Sequence, residues 1–188
     1  MPEELIVKHC SPTLAGIKTG SIFSCIFKDD QDLKDSLSEL NELLKDRGLR
    51  AIPLKYTKGG GHAIVYVYRP QMLDEDISEK KASEILRHFG YRTGSTAVCI
   101  AQLMKRLRGA DSDSFPHEIG LFLGYPPEDV DGFIKHRAGG CKLCGCWKVY
   151  GDVESAKKKF ESYRNCTENF YRRWRSDGSI SKLIAELG

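Results

Sequence analysis

Hydrophobic positions recur at two different periods along this chain, and the switches between them mark out its elements. GSIFSCIF, residues 20–27, is an almost continuous apolar run stopped by Lys28-Asp29-Asp30, the pattern of a buried strand. Leu33, Leu37, Leu40 and Leu44 then repeat at helical spacing, and Gly48 closes that helix. The β-rich runs 50–56 and 63–68 flank Lys58-Gly59-Gly60-Gly61 and read as a hairpin. Within AIVYVY the branched and aromatic residues are nearly continuous, which predicts a strand covered on both faces.

From Pro70 to Arg137 the period is that of short helices. Ile85, Leu86 and Phe89 mark one, and Val98, Ile100, Leu103, Met104 and Leu107 mark another. A third starts near Pro116 and a fourth runs from Pro127 to His136. Trp147 to Tyr150 returns to strand. Asp152 then caps a long helix with the stripe Val153, Ala156, Phe160, Tyr163, Phe170 and Trp174. Gly178 ends it, and Ile180, Leu183, Ile184 and Leu187 form a last short helix. The order β-α-β-β, helical block, β-α predicts one α+β domain over residues 1–188 with a helical insertion at 70–137. Its sheet would be small, four-stranded and mixed, of the ferredoxin-like split βαβ type. A three-layer α/β arrangement is the competitor.

Composition removes several function classes. A net charge of +3 is too small to imply nucleic acid. The one basic cluster, Arg172, Arg173 and Arg175 around Trp174, suits a solvated helix C-terminus. No apolar run approaches the ~20 residues of a membrane span, and the acidic N-terminus is no secretory signal. The expected setting is the cytoplasm, away from membranes. Seven cysteines, an odd number, argue against a disulfide framework and for thiols that are either packed or used.

Three groups of residues are candidates for chemistry. His9-Cys10-Ser11-Pro12 resembles a helix start, with Ser11 as N-cap and Pro12 at the first helical position. A thiol there would feel the positive end of the dipole, with His9 and Lys18 adding charge, and would ionise more easily. His117 and Glu118, opening the helix near Pro116, could supply a base and an orienting carboxylate. Cys141, Cys144 and Cys146 follow Gly139-Gly140 as C-x2-C-x-C, a spacing that suits a zinc knuckle or an iron–sulfur loop. A fourth ligand could come from Cys10, Cys166, His136 or His117. Tyr66, Tyr68, Tyr125, Trp147 and Tyr150 could wall a site for a flat ligand such as flavin or haem, or could simply be sheet core. Cys25, Cys99 and Cys166 stand in apolar contexts and read as core.

HCSPTLAGIKTGSIFSC (9–25), FPHEIGLFLGYPPEDVDGF (115–133) and CGCWKVYGD (144–152) resemble the bacterial DUF3793 family, a domain of unknown function. The resemblance covers essentially the whole chain. It implies a small stand-alone cytoplasmic protein of an anaerobe and no transferable activity. Family members often carry other residues at the positions of Cys141 and Cys146, which weakens a cluster built on CKLCGC.

The residues thus point first to a thiol-dependent enzyme acting on a small molecule: Cys10 as nucleophile or redox thiol, His117 as base, Glu118 as orienter and Lys18 as electrostatic aid. The second class is a protein binding zinc, an iron–sulfur cluster or haem through Cys141, Cys144 and His9, with Tyr125, Trp147 and Tyr150 against the cofactor. A regulatory or adaptor protein without chemistry is the third.

Overall fold

The structure, a computed structural model, describes residues 1–110, 114–137 and 139–186. The chain divides into two compact units: Met1–Gln71 with Tyr163–Gly188, and Met72–Ser162.

The first unit opens on helix α1, Glu3–Leu14. This corrects the expected helix start at Ser11. Ile6, Val7, Cys10 and Leu14 make an apolar stripe that carries the helix through the supposed cap. Ser11 hydroxyl instead donates back to the Val7 carbonyl, and Pro12 sits in the last turn. The helix C-terminus is closed by Arg69, whose guanidinium donates to Thr13 O at 2.8 Å and Leu14 O at 2.6 Å.

Strand β1, Gly20–Phe27, leads into α2, Asp30–Leu44. Asp29 caps α2 by accepting from the Gln31 and Asp32 amides, and Asp32 accepts in return from the Lys28 amide at 2.8 Å. Gly48, at φ 64°, ends the turn that follows. Strands β2, Arg50–Tyr56, and β3, Gly61–Tyr68, complete an antiparallel sheet in the order β1-β3-β2. Since both outer strands run antiparallel to β3, β1 and β2 are parallel to one another, and β1-α2-β2 is a split βαβ unit. Phe23, Cys25, Phe27, Ala63, Val65 and Val67 join the leucines of α2 and the stripe of α1 in one core. Tyr66 and Tyr68 point to the other face and stack at 4.7 Å.

The sheet has three strands, where four were expected. The second unit carries α3 (Pro70–Ser78, starting at its boundary), α4 (Lys80–His88), α5 (Thr96–Gly109), α6 (Ile119–Phe122) and α7 (Pro127–His136). It also carries a two-stranded hairpin, β4 (Leu143–Cys144) with β5 (Lys148–Val149). The segment expected as the fourth strand is β5. Its ladder stops at Val149, and the Tyr150 and Gly151 amides that follow donate to the Asp129 carboxylate.

Helix α8, Val153–Asp177, begins in the second unit and ends in the first. Asp152 caps it, accepting from the Glu154 and Ser155 amides. Phe170 and helix α9, Ile180–Ala185, return to the first core, where Ile180, Leu183 and Ile184 are buried. Leu187 lies outside the described residues. No helix among the described residues is long and apolar enough to cross a membrane.

Candidate functional site

Two of the motif-rich segments meet inside the second unit, and a carboxylate ties them together. Pro127 occupies the first turn of α7 and Glu128 and Asp129 follow it, acidic residues where the helix dipole favours them. Asp129 turns inward and is only 3% exposed. Its Oδ2 accepts from Trp147 Nε1 at 2.7 Å, and its Oδ1 accepts from the Tyr150 amide at 2.7 Å and the Gly151 amide at 2.8 Å. A buried carboxylate so furnished with donors fixes both the indole and the strand end after it.

That anchor orients an aromatic wall. Trp147 stacks on Tyr125 at 4.9 Å and meets Phe160 edge-on at 4.5 Å. His117 meets Phe133 edge-on at 4.9 Å. Between them lies a cavity of about 260 Å³ lined by His117, Ile119, Gly120, Tyr125, Val130 and Phe133, with Trp147, Asp129 and Lys148 completing it. Close packing demands glycine at two places. A Cβ on Gly120 would stand 2.8 Å from Val130 Cγ2, and one on Gly132 would stand 2.4 Å from Tyr150 Cγ.

The polar groups of the wall are mostly engaged. The Trp147 N–H is held by Asp129, and the Tyr125 hydroxyl donates to the Cys146 carbonyl at 3.4 Å. Burial pushes the Tyr125 phenol up to about 12, with the nearby Cys146 adding to the effect. The His117 ring contacts Phe115 and Phe133, and no hydrogen bond to it is made among the described residues. Burial, then the positive charge of Arg137, holds its pKa below the ordinary value, so the ring is neutral at pH 7. Arg137 itself is at φ 54°, the one non-glycine with positive φ among the described residues. Its carbonyl accepts from the Tyr150 hydroxyl and its amide donates to Phe133 O at 2.8 Å. Lys148 has no ion-pair partner among the described residues. The cavity thus offers flat apolar walls and a neutral imidazole, with Lys148 in its lining.

A larger groove of about 570 Å³ lies in the same unit, lined by Glu75, Glu79, Glu128, Asp152 and Lys159 among others. Charged side chains crowd its lining, and Glu79 and Asp152 are already occupied as helix caps. The smaller aromatic cavity is the better candidate.

The residues expected to carry chemistry are distributed differently from the expectation. Cys10 lies in the second half of α1, fully buried. Far from being activated by a helix N-terminus, its thiol is pushed up to about 12 by burial, with Lys18 offsetting only part of this. Lys18 itself donates to the Gly20 carbonyl. Cys10 and Lys18 belong to the first unit, His117 and Glu118 to the second. Glu118 does not orient His117. It is 1% exposed, and its Oε1 accepts from Arg106 Nε at 2.6 Å and from the Tyr91 hydroxyl at 2.9 Å. Burial and this carboxylate together raise the Tyr91 pKa.

Among the thiols of C-x2-C-x-C, Cys141 is half-buried while Cys144 and Cys146 are exposed. His9 is exposed and belongs to the other unit. Among the described residues no three His, Cys, Asp or Glu side chains converge to hold a metal ion. Of the aromatic candidates, Tyr125 and Trp147 line the cavity. Tyr150 packs over Gly132, and Tyr66 and Tyr68 belong to the sheet. Cys25, Cys99 and Cys166 have pKa values raised by burial.

Asp129, Phe133 and Lys148 escaped the sequence reading. Asp129 in Pro-Pro-Glu-Asp carries only the signal of a helix N-terminus, and nothing in that signal tells which acid turns inward.

The model of one family, described as Protein of unknown function (DUF3793), matches residues 6–184, and the chain belongs to that family. No curated protein and no solved structure matches it.

Proposed function

Taking the chain as a DUF3793 member, we propose that it is a binding protein for a small planar ligand, held in the cavity between His117, Phe133, Tyr125 and Trp147. The observation that carries this reading is the cavity itself, a nearly all-carbon slot whose walls are locked by Asp129. Ligand sites are concave, mostly apolar and sparing in polar groups. A volume of about 260 Å³ suits one or two fused rings and is too small to enclose a whole haem. Stacking on Trp147 and Phe133 would supply most of the affinity. His117 would set orientation, and Lys148 favours an anionic substituent such as a carboxylate.

Support for the thiol-enzyme reading is weaker, since a buried, protonated Cys10 is a poor nucleophile. What remains for it is the exposed pair Cys144 and Cys146 on the hairpin beside Tyr125.

The test is a ligand-observed NMR screen of planar aromatic carboxylates and their uncharged analogues against the whole chain. Hits should compete with one another, favour the acids and be lost in Phe133→Ala and His117→Ala. Desolvation of the half-buried ring holds its pKa down, so the imidazole should stay neutral and the affinity level from pH 8 to 6.5, changing only at lower pH, where the ring takes up its proton. Binding that survives both substitutions, or no binder among several hundred ring compounds, would overturn the proposal.

A further inference from the structure

The two edges of the three-stranded sheet are treated in opposite ways. Strand β2 is closed to further pairing. The Asn41 side chain donates to Ala51 O at 2.8 Å and accepts from the Ala51 amide at 2.9 Å, standing in for a neighbouring strand. Pro53 has no N–H to offer, and the register shifts between Pro53 and Lys55. These are the devices by which sheets blunt an edge.

Strand β1 has none of them. GSIFSCIF carries no charge and no proline over eight residues, and its register with β3 is unbroken from Gly20 to Phe27. Among the described residues no hydrogen bond from outside the β1–β3 ladder reaches the backbone of residues 22–27. Ser24 is exposed, and Ile26, at 73% exposure, is the most exposed large hydrophobic side chain described. A long, regular, uncharged edge with an apolar face is a template for another strand.

We propose that β1 pairs with β1 of a second copy of this chain, joining two sheets into one antiparallel six-stranded sheet about a two-fold axis. Side-chain alternation allows only registers that match odd residues with odd and even with even. Centring the axis on Ser24 places each Ile26 opposite Ile22 of the other copy and Phe23 opposite Cys25, so apolar residues meet on both faces. Centring on Phe23 instead would set Ile26 opposite Gly20, a worse match in packing. The occupant is isologous, as most dimer interfaces are. Strand pairing of this length buries less than a standard interface, so the dimer should be held with a dissociation constant on the order of micromolar.

Sedimentation equilibrium of the full chain tests this. The mass should rise from 21.2 kDa towards twice that value with concentration. Ile26→Lys should remain monomeric at about 100 μM with an unchanged near-ultraviolet circular dichroism spectrum. The register has its own test. In a background lacking Cys141, Cys144 and Cys146, Ser24→Cys should oxidise to a covalent dimer. Opposed Cα atoms in an antiparallel pair are roughly 4.5–5.5 Å apart, within disulfide range. Ile26→Cys should not, since it faces Ile22. A monomer at all concentrations, or a dimer indifferent to Ile26→Lys, would sink the proposal. So would Ile26→Cys cross-linking as readily as Ser24→Cys.

Discussion

The chain has two tryptophans, one in each unit, and each gives its indole N–H to a carboxylate. Trp174 donates to Glu3 at 2.8 Å, and Trp147 donates to Asp129 at 2.7 Å. The bonds are alike, but their settings differ. Glu3 and Trp174 are both half-buried, and Glu3 also accepts from the Ile180 amide at 3.2 Å. That pair fastens a terminus onto a core already made by α1, α2 and the sheet. Asp129 is buried and holds three donors from one loop. It replaces the core that a short, two-residue-strand hairpin cannot build for itself. The first unit is held by apolar periodicity with polar groups as trim. In the second, two buried carboxylates, Glu118 and Asp129, organise the packing.

Three substitutions test that contrast, and the tryptophans report on each unit separately when the other is changed to Phe. Asp129→Ala should have the largest effect. It leaves three donors without their acceptor, two of them backbone, and should cost about 3–5 kcal/mol in urea unfolding monitored at Trp147. A loss under ~1 kcal/mol would show that the loop is held by its aromatic contacts instead. Gly132→Ala comes next. The added methyl would meet Tyr150 Cγ at 2.4 Å and Cβ at 2.7 Å, and shifting a ring whose hydroxyl is also engaged should cost about 1–3 kcal/mol. Wild-type stability in this variant would mean that Tyr150 moves freely, and the wall behind Phe133 is then not rigid. Glu3→Ala is the smallest, about 0.5–1.5 kcal/mol read at Trp174, because water can reach the groups it leaves. Should it match Asp129→Ala, the distinction between a fastening and a hub fails.

Much of the fold was legible in the residues because it follows from local periodicity. β1 spans the predicted run, α7 begins at Pro127 and ends at His136, and Asp152 caps α8 as its position suggests. The errors share one cause, a local signal overruled from a distance. Ser11-Pro12 looks like a cap, but the stripe of Ile6, Val7 and Cys10 against the core extends the helix past it. Trp147 to Tyr150 looks like a sheet strand, but only Lys148 and Val149 pair, and the Trp147 indole with the Tyr150 and Gly151 amides is held by a carboxylate 18 to 22 positions away in the chain.

The same division holds for the site. The residues alone told which segments are rich in special side chains, which aromatic rings were available, and that helices and strands would be mixed in an α+β chain. Hydrophobic period, caps and turn residues act within a few positions, so they can be read along the chain. Only the tertiary structure decided that Asp129 faces inward and Cys10 is sealed with its proton, and that Glu118 serves Arg106 and Tyr91 rather than His117. Burial and the choice among competing hydrogen-bond partners depend on what the rest of the chain brings to the same point in space. No local pattern carries that information.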